Sequence, residues 1–149
     1  MMGRPYFKIG VVKKYDVKKD LNVADKKSVA LSIFMDVSHA FETMQANWPF
    51  SKVTNSGYSA EDLVSNLIGF YRAVEPNGQH IQTCEPVSKK IALAIWDKYG
   101  EVGKNKNYSI SPYVYPAPPS LGGPMSVLLP FSLTTIKPEK EGFLLKGVK

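Results

Sequence analysis

The sequence predicts a mainly α fold of three principal helices, with extended N- and C-terminal segments able to pair as a small β-sheet (α+β). Three observations carry this expectation. Apolar residues recur at helical spacing over 26–47 and 60–74. A third apolar run fills 86–99. Seven of the eleven prolines fall in 104–149, where no helical period survives. The 149 residues, 44% apolar and 21% charged, suffice for one domain over 1–149 and exclude wholesale disorder. No run approaches ~20 apolar residues, so no transmembrane segment is expected.

Residues 1–24 read as an extended, basic N-terminal arm, with a short strand near 6–12 from Tyr6, Ile9, Val11 and Val12. Asp25 stands where a helix N-cap is needed. Along the first helix, Ile33, Val37, Ala40, Phe41, Met44 and Trp48 share one broad face, and Ser32, Asp36, His39 and Thr43 form a narrow polar stripe. Glu42 falls outside that stripe, among Leu31, Met35 and Ala46. A carboxylate there is expected to be buried, and a buried polar group needs partners.

The second helix is announced by Ser59 as N-cap and Asp62 at the third helical position, a short capping box strengthened by Glu61. Leu63, Val64, Leu67, Ile68, Phe70, Tyr71 and Val74 form its apolar arc, and it stops before Pro76-Asn77-Gly78. Gly69 inside it costs ~1 kcal/mol against Ala and suggests a close approach of another backbone. In the third helix, Pro86 suits the first turn and Gly100 the stop. It is apolar nearly all round, which marks a central helix. Residues 104–149 are Pro-rich yet apolar, and are expected to wrap over the helices; Pro130 confines 126–133 to an edge or an irregular extended stretch.

The formal charge of +6 is unevenly spread: +5 in 1–27, −2 in 28–99 and +3 in 100–149. Charge without a recognition module does not predict specific nucleic-acid binding. The single cysteine, Cys84, excludes an internal disulfide and reads as an ordinary, partly buried thiol. The first thirty residues hold no apolar run of signal-peptide kind, so the chain reads as cytoplasmic or as exported with its leader removed. Zinc-protease, phosphate-loop, nucleophile-elbow and Cys-x-x-Cys motifs are absent, and two histidines cannot make a three-histidine centre. Neither a metal nor a cofactor is expected. No partner is specified, and a protein partner stays open.

Two constellations remain. Asp36, His39 and Glu42 are spaced so that His39 meets either carboxylate across one helical turn, an arrangement suited to acid–base work, to two metal ligands from His39 and Glu42, or to a plain polar stripe. Asp62 and Asn66 share a face of the second helix with Ser65 and Gly69 beside them.

The Glu42-Thr43 element followed by Ser56-x-Tyr58-Ser59-x-Glu61-Asp62-x-x-Ser65-Asn66-x-x-Gly69 resembles a family of uncharacterised bacterial proteins, often exported or lipid-anchored. The resemblance covers about residues 35–75. Tyr58 replaces the family's Phe, and Phe41 stands where the family carries a His beside the helical Glu. It implies interest in Glu42, Glu61, Asp62, Ser65 and Asn66, and it supplies no reaction.

Packing of the first two helices would carry Glu42 to the polar start of the second, near Ser59, Glu61, Asp62, Ser65 and Asn66. Two functions follow. One is a non-catalytic structural or binding domain whose buried network around Glu42 and 56–69 fixes helix register. The other is a hydrolase-like enzyme with Glu42 as general acid or base, assisted by His39 or Asp62.

Overall fold

The computed structural model describes residues 12–46, 60–99 and 129–149. In chain order these form strand β1 (Lys14–Val17), helix α1 (Val23–Ala46), helix α2 (Ala60–Val74), a 3-10 turn (Gln82–Cys84), helix α3 (Lys89–Tyr99), a second 3-10 turn (Phe131–Leu133) and strand β2 (Leu145–Val148). The fold is mainly α with a two-stranded antiparallel sheet, as expected.

Helix α1 begins three residues earlier than Asp25 predicts. Asn22 is the cap: its Oδ1 accepts the Asp25 amide at 2.8 Å, and its carbonyl accepts Lys26 at 2.9 Å. Asp25 instead sits in the first turn, where its charge meets the positive helix end. The core face also differs from the broadest apolar one. Leu31 is buried, with Phe34 and Met35 packed against the same cluster, and Glu42 is 3% exposed. Residues 31, 34/35, 38 and 42 form one stripe at helical spacing. Phe41, from the face richest in apolar residues, is exposed.

Helix α2 has the predicted bounds, and its narrow apolar arc turns inward. Leu63, Leu67, Phe70 and Tyr71 are buried, and Phe70 stacks on Phe34 of α1 with ring centroids 5.4 Å apart. Gly69 lies on the exposed side. Among the described residues a Cβ there would meet nothing within 4 Å, so none of them makes the expected close approach.

Tyr71 has no exposed surface and joins α2 to the C-terminal segment. Its hydroxyl accepts the Ile136 amide at 2.9 Å. Leu133 enters the same core, with Leu129 and Ile136 against it, and the Glu139 amide donates to the Ser28 carbonyl at 3.1 Å. Residues 129–149 therefore wrap over α1 and α2 as expected; 104–128 lie outside the described residues. Pro130 opens a 3-10 turn rather than an extended edge: its carbonyl accepts Leu133 at 3.0 Å.

A strand lies at Lys14–Val17; of the expected strand near 6–12, residues 6–11 lie outside the described residues and Val12 is not in a strand. Strand β1 pairs with β2 in the register Lys14↔Val148, Tyr15↔Gly147, Asp16↔Lys146 and Val17↔Leu145. The sheet thus joins the two basic ends of the chain.

Helix α3 begins at Lys89, after Pro86. Ser88 caps it, its Oγ accepting Ile91 at 3.3 Å and its carbonyl accepting Ala92 at 2.9 Å. Ser88 supplies the side-chain acceptor that a helix start needs and Pro86 lacks. The expectation that α3 is central is overturned. None of its residues with described side chains is buried; Leu93 is 53% and Trp96 49% exposed, and no described element packs extensively on it.

Candidate functional site

Of the predicted residues, His39 and Asn66 meet at the junction of α1 and α2. Phe34 meets Phe70, while Ser38 and His39 share a pocket with Leu63 and Asn66, so the two helices run antiparallel. That register carries Glu42, one turn further along α1, towards the first turn of α2. The pocket, about 30 Å³, is closed by Phe34, Met35, Leu63 and Leu67 and edged by the polar groups of Ser38, His39 and Asn66. It holds about one water-sized guest. Its walls are mainly hydrocarbon, so its chemistry is retention of a small apolar group or a single water.

Each predicted site residue has a distinct place. Glu42 is buried on the core stripe, is not without an interaction partner, and is not part of the pocket wall. His39 and half-buried Asn66 line the pocket. Ser65 is exposed on the far side of α2. Glu61 and Asp62 lie in the first turn of α2, where only their backbone is described, and Ser59 lies outside the described residues. The Thr43 hydroxyl donates to the His39 carbonyl at 3.0 Å, a bond back along the helix rather than into the pocket.

Asp36 directs its side-chain hydrogen bonds away from α1, and His39 acts on it through charge. Its carboxylate accepts Lys13 Nζ at 2.8 Å and the Tyr15 hydroxyl, both from β1 and its approach. The Lys13 and Tyr15 hydrogen bonds hold the Asp36 carboxyl below the usual range, against partial desolvation. Partial burial, then the bond to Asp36 and its charge, push the Tyr15 phenol up to about 12. Sequence reading placed Asp36 correctly on the polar stripe and missed its partners, because they lie more than twenty residues upstream, across the turn that precedes α1.

A second buried polar group also escaped prediction. His80 is 4% exposed, in the turn after α2. Its Nε2–H donates to the Glu75 carbonyl at 2.7 Å, and its Nδ1 is buried without a hydrogen-bond partner among the described residues. The ring packs on Tyr71 at 5.6 Å, and a Cβ at Gly78 would come within 2.4 Å of its Cε1. The glycine is the one sequence signal for this seat, since only a residue without Cβ admits the ring. Cys84, next to this turn, is half-buried, and burial pushes its thiol up. That is the ordinary thiol expected, and α3 begins too late to activate it.

Among the described residues no three or more His, Cys, Asp or Glu side chains are grouped to hold a metal ion. Among them, too, no helix is long and apolar enough to cross a membrane. No family model matches the chain, and neither the curated proteins nor the solved structures yield a similar one.

Proposed function

We propose that the chain is a non-catalytic structural or binding domain in which Glu42 fixes the pairing of α1 with α2. The observation that supports this reading is the burial of Glu42, 3% exposed and outside the pocket wall. A general acid or base must come within hydrogen-bond reach of a substrate proton. A carboxylate buried on the core stripe supports a role in the fold, while the polar residues at the pocket are Ser38, His39 and Asn66. The hydrolase-like reading needs Glu42 to turn toward that pocket. We further infer that 1–149 is one domain, since residues 129–149 pack on α1 and α2 and pair with β1, whose Tyr15 bonds Asp36 of α1. A bacterial source rests only on the resemblance of residues 35–75.

Glu42→Gln tests the reading without a known substrate. Gln keeps the shape and one acceptor, so unfolding by denaturant should show a loss within ~1–2 kcal/mol. Glu42→Ala should lose more, because it strands the groups that Glu42 meets. Residues held for catalysis commonly lower stability, and their replacement commonly raises it. A Glu42→Gln protein more stable than the parent would therefore count against a structural role.

A further inference from the structure

The two edges of the small sheet are finished differently. The Lys18 amide donates to Leu144, so in this antiparallel register the pairs Asp16–Lys146 and Lys14–Val148 exchange hydrogen bonds. Tyr15 and Val17 of β1, and Leu145 and Gly147 of β2, then direct their backbone groups outward. On the β2 side the chain covers its own edge. Gly142 donates to the Leu145 carbonyl at 2.8 Å, and the Gly147 amide donates to the Glu141 carboxylate at 3.0 Å. On the β1 side, among the described residues, nothing pairs with the outward groups of Tyr15 and Val17. An open edge of this kind is a template for another strand unless something blocks it. A groove of about 460 Å³ opens at this end of the sheet, lined by Lys13, Lys14 and Tyr15 with Asp36 of α1 and, from the β2 side, by Glu141 and Lys149.

Charge selects what fits there. Lys13 is committed to Asp36 and Lys18 Nζ lies over the Phe143 ring at 4.3 Å, but Lys14, Lys18 and Lys19 are all exposed along the strand and its exit, against Asp16 and Asp20. Lys146 and Lys149 on and beside β2 add to the positive field. Lys14, Asp16 and Lys18 project from the solvent face, whereas Tyr15 and Val17 project toward α1. A matching strand is acidic on alternate residues and apolar on the others. A second copy of the chain would instead bring the same lysines flanking its strand, with Asp16 the one acidic residue between Lys13 and Lys19.

We propose that the open edge of β1 is a docking site for an extended acidic segment of a partner protein, which adds to the sheet as a third strand. Main-chain hydrogen bonds to Tyr15 and Val17 supply affinity, and the lysines supply selectivity. This inference uses residues remote from Glu42, so it stands or falls independently of the function proposed above.

The test uses the full chain and three labelled peptides followed by fluorescence anisotropy. One alternates Glu and Val, one alternates Lys and Val, and the third is the Glu–Val peptide N-methylated at every second residue. The Glu–Val peptide is expected to bind, with N-methylation weakening Kd about fivefold or more, the effect of losing one hydrogen bond. Val17→Pro removes the outward amide and should weaken binding similarly; the methylated peptide makes the same measurement on an unaltered protein. The Lys14→Glu/Lys18→Glu protein should bind at least about tenfold more weakly, and added salt should weaken the parent. No binding, equal binding of the Lys–Val peptide, or indifference to N-methylation would overturn the proposal. So would a concentration-dependent dimer of the chain that Val17→Pro abolishes.

Discussion

Helices α2 and α3 are similar in length and opposite in fate. In α2, Leu63, Leu67, Phe70 and Tyr71 occupy one narrow arc, and all four are buried between α1 and the C-terminal segment. In α3, apolar residues run round most of the circumference, and yet Leu93 and Trp96 stand in the open. Apolar content says that surface could be buried. One-sided placement says against what, because only a helix with a defined face can seat neighbours on it. Tyr71 adds the decisive feature: an aromatic body for the core and a hydroxyl that holds the Ile136 amide of the covering segment.

The contrast is broken most directly by equal truncations in the two helices. Leu67→Ala should cost about 2–5 kcal/mol, the range for emptying a core leucine site. Leu93→Ala should change stability by no more than about 0.5 kcal/mol. Chemical denaturation of both variants gives the ratio, and equal losses would place α3 inside the same cooperative core.

Gly69 sharpens the comparison on the exposed side of α2. A methyl group there meets nothing within 4 Å among the described residues. Gly69→Ala should therefore stabilise by about 1 kcal/mol, the helix propensity difference, with the midpoint rising and the denaturant slope unchanged. A destabilised variant would mean that a neighbour does occupy that side.

The smallest effect concerns the anchor of β1 on α1. Asp36, with its carboxyl held low first by the bond from Lys13, contributes stability above the ordinary carboxylate range of about 4, lost as pH falls through its folded value. The Tyr15 phenol, pushed up to about 12, contributes below about 10 and loses that contribution as pH rises toward 12. Both groups are partly solvated, so the slopes are shallow. Tm measured against pH should lose part of its acid slope in Asp36→Asn. An unchanged acid limb would show that the contact does not contribute to folding.

Local signals made much of this legible, and long-range ones did not. The bounds of α2 follow from its arc and from the turn at Pro76-Asn77-Gly78. The burial of Glu42 follows from its angular neighbours Leu31 and Met35, and these also mark the true core face of α1. The start of α1 was misplaced because Asn22 and Asp25 are both good caps, and only the backbone path decides between them. The strand β2 escaped because Leu145 to Val148 includes a lysine and a glycine and is a strand only through its pairing with β1. The partners of Asp36 escaped for the same reason. The place of α3 could not be read from its composition, since burial depends on which surfaces remain to cover it.

The central claim is that α1, α2 and the segment held by Tyr71 form one cooperative core, with α3 outside it. Native-state hydrogen exchange at single-residue resolution tests this in one experiment. The Ile136 amide and the central amides of α2 should open only with global unfolding, and the amides of α3 should exchange through smaller openings of lower free energy. Amides of α3 as protected as those of α2, or a rapidly exchanging Ile136, would contradict it.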